Sequence, residues 1–281
     1  MLALNIHGKL MHYRRPAVMG IVNATPDSFY GGSRAASPAD AAARARRMVA
    51  EGADMLDIGA CSTRPGAECV DAATEWERLR PVLEAVREAT GGAVPLSVDT
   101  FRADVARRAV EGGLADIIND IGGGTLDPEM HPAVAALGVP YILMHMRGTP
   151  ATMQQHCDYA DVTAEVTAEL QYALDGLTLA GVADVIIDPG FGFAKTAEQN
   201  YRLLHDLPVM ASALRRPVLV GLSRKSMATR VLGISADEAL PATSALNMLA
   251  LLGGAHILRV HDPAEAAQVV RMYELYTGKH D

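Results

Sequence analysis

Polar and ionisable side chains follow most of the short apolar runs in this chain of 281 residues. Two of them are carboxylates, Asp99 in LSVDTF and Asp188 in IIDPGFGF, and Asn119 follows another run in IIND. Capping the helix expected from Arg102 is the main competing role for Asp99. Asp188 precedes Pro189-Gly190, which favours a turn and strengthens a ligand role. Together with Asn119, the two carboxylates could bind a flat heterocycle that presents amino and ring N–H donors.

Cationic side chains follow two later apolar runs. Ser223-Arg224-Lys225-Ser226 opens a helix and would combine two cations and two hydroxyls with free backbone N–H groups, which is a natural anion site. Arg259 and His261 are two residues apart and therefore lie on one side of a strand; a solvated surface pair is the alternative interpretation. Cations from two neighbouring strands predict an anionic substrate, although the net charge of the chain is −8.

Two early loops, residues 23–32 and 61–67, are rich in glycine, proline and hydroxyl groups. We predict that they are mobile flaps that close over a bound substrate, with ordinary surface loops as the alternative. The aromatic side chains of Phe29 and Tyr30 and the cation of Arg64 favour the flap.

Eight apolar runs must position these side chains, and they alternate with alanine-rich amphipathic segments. They are continuously apolar, as expected of parallel strands buried on both faces, and they cover residues 17–22, 55–58, 95–98, 116–118, 141–144, 185–187, 217–222 and 256–260. We predict one (β/α)₈ barrel domain over residues 1–281, with residues 1–15 as an N-terminal extension or a first strand pair. The active sites of this fold lie just past the carboxyl ends of the strands.

Three helix starts carry capping signals. Ser37-Pro38-Ala39-Asp40 has a capping hydroxyl, a first-turn proline and a first-turn acid. Asp127-Pro128-Glu129 and Asp262-Pro263-Ala264-Glu265 repeat the pattern, the second with a capping-box glutamate.

The composition excludes several classes of protein. Hydrophobic residues make up 49% and charged residues 21%, which is ordinary for a soluble globular protein. Apolar runs stay below the roughly 18 residues that span a bilayer, and the first residues lack the order of a signal peptide. The acidic net charge argues against nucleic acids and anionic membranes as partners. The 3 cysteines form no metal-like pair, so we expect a cytoplasmic protein.

Eight segments lie at the expected strand ends and loops, and in order they are MGIVNATPDSF, DIGACSTRPGA, LSVDTF, IINDIGG, LMHMRGTPATMQ, DPGFGFAKT, GLSRKS and HILRVHD. Over nearly the whole chain, these segments resemble the dihydropteroate synthases. One such segment would be weak evidence, but all of them in order, each at an expected strand end, are strong. The resemblance implies a transferase of folate biosynthesis, a target of sulfonamides, that condenses a dihydropterin methyl diphosphate with 4-aminobenzoate and releases pyrophosphate.

The resemblance also implies roles for individual residues. The pterin ring would be bound by Asp99, Asn119, Met144, Asp188 and Lys225. The diphosphate would be surrounded by Asn23, Arg64, Arg259 and His261, with Mg²⁺ bridging its oxygens and Asn23. The 4-aminobenzoate would contact Phe29, Thr63, Pro65, Phe193 and Ser226. The implied mechanism is dissociative and needs no side-chain nucleophile, and catalysis would depend on Lys225, Asp188, Arg259, His261 and Arg64.

The chain departs from the family pattern at two loop positions. Members commonly carry aspartate where this chain has Gly31 and glutamate where it has Cys61. The missing carboxylates affect the expected rate, loop closure and response to sulfonamides, and Asp27 could partly compensate. The resemblance further suggests a homodimer that forms through the late helices around residues 239–252 and 264–276.

Three other functions stay open on the sequence. A methyltransferase that passes a methyl group from methyltetrahydrofolate to a corrinoid would share the barrel and the pterin carboxylates, without needing residues 62–66 or the pair of Arg259 and His261. A Schiff-base aldolase could use Lys225, activated by burial or by Arg224. An activity-deficient or purely pterin-binding protein would bind the diphosphate without turnover, although the retained site residues argue against it.

Overall fold

The computed structural model describes residues 2–24, 37–61 and 70–278. Its strands are β1 (Leu2–Ile6), β2 (Lys9–Tyr13), β3 (Ala17–Asn23), β4 (Met55–Gly59), β5 (Leu96–Asp99), β6 (Ile117–Asp120), β7 (Tyr141–Met144), β8 (Val185–Asp188), β9 (Leu219–Val220) and β10 (Ile257–Val260). Its α-helices are α1 (Pro38–Ala50), α2 (Ala72–Thr90), α3 (Ala103–Glu111), α4 (Met130–Leu137), α5 (Val162–Leu179), α6 (Ala197–His205), α7 (Leu207–Leu214), α8 (Ser226–Leu232), α9 (Leu240–Leu252) and α10 (Pro263–Thr277).

The predicted barrel is confirmed. Eight parallel strands pair in the order β8-β7-β6-β5-β4-β3-β10-β9, and a parallel bridge between Ile187 and Val218 joins the two edges, so that the sheet nearly closes. The predicted run at residues 217–222 contains only the short strand β9. Asn23, Asp99 and Asp188 are the last residues of their strands, so rigid sheet holds their backbones.

The inside of the barrel is apolar at one end and polar at the other. The apolar end packs Met19, Met55, Ile117, Ile142, Ile186, Leu219 and Ile257 around Leu2 and Leu4 of the antiparallel hairpin β1–β2. Since side chains on one face of a strand are two residues apart, the next inward positions are Ile21, Asp57, Asn119, Met144, Asp188, Gly221 and Arg259, and four of these seven residues are polar or charged. The polar rim of the mouth therefore follows from the register that buries the apolar layer.

The helices cover the outside of the barrel, and their starts agree only in part with the sequence. The side chain of Ser37 accepts a hydrogen bond from the backbone N–H of Asp40, so this predicted cap is confirmed. Asp127 is not the N-cap residue of α4, which begins at Met130. Its carboxylate accepts from the backbone N–H of Glu129 in the turn before α4 (3.0 Å) and from that of Ala103 at the start of α3 (2.8 Å). Within the described ranges, no helix is both long enough and apolar enough to cross a bilayer.

The hairpin β1–β2 supplies a test of how the barrel is closed. Leu4 is 1% exposed inside the barrel and Leu10 of the same hairpin is 56% exposed. We expect Leu4→Ala to lower the free energy of unfolding by about 2–5 kcal/mol because it opens a cavity in the apolar layer. The control Leu10→Ala should change it by less than about 0.5 kcal/mol in the same urea titration. Equal effects of the two substitutions would contradict this role of the hairpin.

Candidate active site at the mouth of the barrel

An ion-pair network centred on Arg259 crosses the mouth of the barrel. Arg259 Nε donates to Asp57 Oδ2 at 2.6 Å, and Arg259 Nη2 donates to Asp99 Oδ2 at 2.7 Å. The guanidinium thus joins β10 to β4 and β5. Asp99 is committed to this network and does not cap α3, for which Arg102 is the N-cap residue. The alternative role considered for Asp99 is therefore wrong.

The network leaves buried acceptor oxygens at its edge. Asn119 Nδ2 donates to Asp57 Oδ2 at 2.9 Å, which fixes the orientation of the amide. Asn119 Oδ1 and Asp57 Oδ1 are buried and have no hydrogen-bond partner among the described residues. Since buried polar atoms are nearly always satisfied in native proteins, these two oxygens are suited to N–H donors of a ligand.

Burial and neighbouring charges compete in this network. Burial raises the pKa of Asp99, and the Asp57 carboxylate raises it further, while the Arg259 guanidinium opposes both effects. Burial alone would lower the pKa of Arg259, but the carboxylates of Asp57 and Asp99 outweigh it, so Arg259 stays charged.

A second polar group lies at the ends of β8 and β9. The carboxylate of Asp188 is 6% exposed and accepts from the backbone N–H of Gly190 at 2.8 Å. Lys225 Nζ donates to the carbonyl of Phe191 and lies 4.9 Å from the centre of the Phe193 ring. One loop after β8 thus contacts both predicted pterin ligands, the carboxylate and the ammonium.

The ammonium of Lys225 is brought close to Arg259. A Cβ atom at Gly221, just past β9, would lie 3.8 Å from both Lys225 Nζ and Arg259 Cβ, which is van der Waals distance, so both side chains adjoin this position. Burial lowers the pKa of Lys225 to about 8; the Asp188 carboxylate opposes this shift, and the charge of Arg259 adds to it. Lys225 can therefore be protonated near neutral pH, as a hydrogen-bond donor to a heterocycle requires.

An apolar wall lies beside these polar groups. Met144 is 4% exposed, and its cluster contains Ile121, Met146, Met153 and Ala194, with Phe101, Leu126 and Phe193 packed against it. Sites for flat small molecules combine such apolar surface with a few placed polar groups. Met144 and Phe193 both belong to this wall, and their contacts with the pterin and with 4-aminobenzoate stay predictions.

The structure corrects the predicted role of Arg224. Its φ angle is +55°, in the left-handed region that L-residues seldom adopt, and its side chain pairs with both carboxylate oxygens of Asp262 at 2.9 Å. It also donates to the carbonyls of Ala236 and Asp237. Arg224 is therefore a buried structural cation, whereas Lys225 is not committed in this way. The capping box predicted for Asp262 is also wrong, because Asp262 makes no side-chain cap to α10.

The side chain of His261 is neutral and is surrounded by cationic side chains. Its Nδ1 is 2.9 Å from the Ser223 hydroxyl. Burial lowers the pKa of His261 to about 3, and four positive charges contribute to the shift: Arg259, Arg44, Arg224 and Lys225. The prediction that His261 supplies a second cation is wrong in the unliganded protein, because the imidazole is neutral at physiological pH. The same four charges make its surroundings electropositive, as an anion site requires.

The early flaps are only partly described. Predicted site residues outside the described ranges are Phe29, Thr63, Arg64 and Pro65, together with Asp27, Tyr30 and Gly31. Asn23 ends β3 and is partly exposed, and Cys61 stands partly exposed just past β4. Ser226 is exposed at the first position of α8, a helix of only 7 residues.

Sequence reasoning assigned no role to two buried groups at the mouth. Asp57, 0% exposed, holds Arg259 and Asn119 in place, and its position two residues after Met55 on a strand was an available signal. Lys195, 3% exposed, lies behind Asp188 and contacts His145. It belongs to the segment DPGFGFAKT, yet nothing in the sequence indicated that its ammonium is buried.

Comparison with known proteins agrees with this geometry. The family model described as "Pterin binding enzyme" matches residues 19–261. The dihydropteroate synthase of Synechocystis is 44% identical over 262 residues, which cover 92% of this chain and 89% of that protein. The mitochondrial folate synthesis bifunctional protein of Arabidopsis thaliana is 45% identical, and the chain covers 90% of its own length but only 48% of that relative.

Solved structures give the same result. The dihydropteroate synthase of Yersinia pestis, in a complex with a sulfonamide drug, superposes with a TM-score of 0.92 at 37% identity and covers 99% of this chain and 100% of its own. That of Xanthomonas albilineans, with 4-aminobenzoic acid, gives a TM-score of 0.88 at 40% identity and covers 98% of each chain.

The contrast between Arg224 and Lys225 gives a stability prediction. Arg224→Met should lower the free energy of unfolding by about 3–5 kcal/mol, because it leaves Asp262 and two carbonyls without their buried partner. Lys225→Met should lower the free energy of unfolding by less than about 1 kcal/mol, because burial already disfavours the charged form of Lys225 in the folded state. Urea unfolding of both variants measures the difference. A larger loss for Lys225→Met would show that the two cations have been assigned the wrong roles.

Proposed function

The chain belongs to the dihydropteroate synthases, within the pterin-binding enzymes, and we propose that its barrel mouth joins a dihydropterin methyl diphosphate to 4-aminobenzoate. One observation carries the proposal. Planar acceptors and the Lys225 ammonium lie at the ends of β6, β8 and β9, and the electropositive surroundings of Arg259 and His261 lie beside them. A substrate in which a flat heterocycle is joined to a diphosphate matches both of these groups of side chains.

The heterocycle would bind along its hydrogen-bonding edge. Asp188, already oriented by the N–H of Gly190, would accept from the 2-amino group and the ring N–H. Lys225 would donate to the ring carbonyl and N5, and the buried Asn119 Oδ1 is a further acceptor. Met144 would pack against the face of the ring. Bidentate recognition of this kind favours a pterin over rings that lack the paired donors.

The diphosphate would bind on the Arg259 side. A guanidinium has five N–H donors, and the bonds from Arg259 Nε and Nη2 to Asp57 and Asp99 leave others for phosphate oxygens. Because an approaching anion favours protonation of a neighbouring imidazole, the diphosphate would raise the pKa of His261. His261 would then become a cation, with both ring nitrogens as donors, only when substrate is bound.

The reaction would proceed by dissociation. The C–O bond between the pterin methylene and the diphosphate breaks, and its electron pair leaves with pyrophosphate. The resulting pterin cation is attacked by the amino nitrogen of 4-aminobenzoate, which forms the new C–N bond and then loses a proton. Arg259 and Lys225 would stabilise charge that develops on the leaving group, the interaction that usually dominates such catalysis.

The donor set suits Mg²⁺ as a metal bound mainly through the substrate. Among residues 2–24, 37–61 and 70–278, no cluster of three or more His, Cys, Asp or Glu side chains could hold a metal. Mg²⁺ takes few protein ligands and keeps waters and phosphate oxygens, so a single amide oxygen, that of Asn23, would be enough to hold it at the mouth. When bound, Mg²⁺ would neutralise charge on the diphosphate.

The 4-aminobenzoate would bind beside Phe193 and Ser226. Phe193 packs against the apolar wall, and Ser226 is exposed where its N–H can meet a carboxylate. The Xanthomonas relative was solved with 4-aminobenzoic acid, which supports 4-aminobenzoate as the ligand. The remaining contacts, from Phe29, Thr63, Arg64 and Pro65, fall outside the described ranges. The corrinoid methyltransferase and the aldolase are not favoured.

We also propose a homodimer that forms through α9 and α10. These neighbouring helices expose large apolar side chains at Leu249, Leu252, Met272, Leu275 and Tyr276. This is more exposed apolar surface than the single, scattered apolar side chains that are normal on a monomer. Light scattering should give the mass of two chains, and a concentration-independent mass of one chain would contradict this. A cytoplasmic location stays a prediction from the cysteine content.

Pyrophosphate release with both substrates and Mg²⁺ tests the proposed function. Asp188→Ala and Lys225→Ala should each lower kcat/KM about 100-fold or more, because each removes a buried, charged partner of the pterin. Lys9→Ala, at an exposed lysine of β2, is the control and should behave as the unaltered protein. Chelation of Mg²⁺ should stop the release of pyrophosphate.

Near-normal rates in both site variants would contradict the site, and metal-independent release would contradict the Mg²⁺ assignment. Binding of the diphosphate without any turnover would identify a purely pterin-binding protein.

A further inference from the structure

Lys195 is the most deeply buried lysine of the described chain, and the mechanism above does not use it. It is 3% exposed, and its Nζ lies 3.0 Å from three acceptors: the carbonyls of Gly190 and Phe193 and the Nδ1 atom of His145. An ammonium has three N–H donors, so each donor has one partner. Lysine is almost never fully buried without such pairing, and burial lowers the pKa of Lys195 to about 7.

The three acceptors belong to two neighbouring strand ends. Gly190 and Phe193 lie in the loop that follows β8 (residues 189–194, here the β8 loop), and His145 directly follows β7. The β8 loop lies tightly against β7, because a Cβ atom at Gly190 would fall 1.9 Å from the carbonyl oxygen of His145. Lys195 therefore ties the β8 loop to the strand beside it from the inside.

The β8 loop carries the groups that face the pterin. The N–H of Gly190 orients the Asp188 carboxylate, and the carbonyl of Phe191 accepts from Lys225. The Phe193 ring lies 4.9 Å from Lys225 Nζ. Lys195 holds this loop at residues 190 and 193 through their carbonyls. A shift of the loop would therefore displace the carboxylate, the ammonium and the ring together.

His145 gives the lysine a defined partner. Because an ammonium can only donate, Nδ1 of His145 is the acceptor and the neutral ring carries its proton on Nε2. Nε2 then donates to Glu169 Oε2 at 2.9 Å, and Glu169 is held in turn by Arg147. Burial lowers the pKa of His145 to about 4, which agrees with a neutral ring.

We infer that Lys195 is a positioning residue for pterin binding: through His145 and two carbonyls of the β8 loop, its ammonium fixes Asp188, Lys225 and Phe193 in their binding geometry. The inference rests on the proposed function. Enclosure by three acceptors leaves Lys195 no access to substrate, so it acts only through the groups it holds. Its charge also acts on Asp188, whose pKa is raised by burial and lowered by Lys225, Arg259 and Lys195.

Substitution of Lys195 by methionine separates positioning from packing. Methionine keeps the apolar stem and removes the charge and the three donors. The dissociation constant for 6-hydroxymethylpterin, a stable probe, should rise about tenfold or more, as expected when hydrogen bonds to a charged group are lost. The acidic limb of the binding profile should also move to higher pH, because Asp188 loses a neighbouring cation. The matched control Lys9→Met, at an exposed lysine, should change neither quantity.

A pair of variants at His145 keeps the test decisive if Lys195→Met folds poorly. In His145→Asn, the amide oxygen can replace Nδ1 as an acceptor, so probe affinity should stay within about threefold. In His145→Leu the acceptor is lost, and affinity should fall at least fivefold.

Three outcomes have distinct meanings. Unchanged probe affinity and pH profile in a folded Lys195→Met protein would overturn this inference while leaving the proposed function intact. Equal affinities for the two His145 variants would do the same. Failure of the unaltered protein to bind the pterin would overturn the proposed function and, with it, the role of Lys195.

Discussion

The pairing of Arg259 with the buried carboxylate of Asp57 and the partly buried carboxylate of Asp99 is the interaction on which the mouth of this barrel depends. A buried guanidinium or an isolated buried carboxylate would carry a large desolvation cost, and the contacts at 2.6 and 2.7 Å offset it for Arg259, Asp57 and Asp99 together. Through Asn119 the same network reaches β6. Four strand ends are thereby held in one arrangement, and backbone in the sheet carries the side chains of this network, whereas Lys225 and Phe193 are carried by loops.

Pairing with neighbouring groups determines which positive charges at the mouth remain available to a ligand. Arg224, which is adjacent to Lys225 in sequence, is neutralised by Asp262, and Lys195 is enclosed by the β8 loop. Lys225 keeps a pKa of about 8 and Arg259 stays charged. The imidazole of His261 stays neutral in the positive field around it. An acidic chain can thus present an electropositive half-site to an anion, because the compensating carboxylates are buried beneath it.

Much of this arrangement can be predicted from sequence, because strand periodicity is local. Continuous apolar runs ending in Asp99, Asn119, Asp188 and Arg259 were sufficient to place these side chains at one mouth. What could not be predicted depends on conformation and burial. The left-handed φ of Arg224 turns its side chain towards Asp262, and the charge of His261 depends on four cations from separate elements. The partners of Lys195 lie up to 50 residues away.

A crystal structure of the protein with a dihydropterin methyl diphosphate tests the central claim most directly. The ring edge should lie within hydrogen-bonding distance of the Asp188 carboxylate and Lys225 Nζ. The diphosphate should contact Arg259 and His261, while Arg259 keeps its bonds to Asp57 and Asp99. A ring bound away from Asp188, or a diphosphate that draws Arg259 off both carboxylates, would contradict the account.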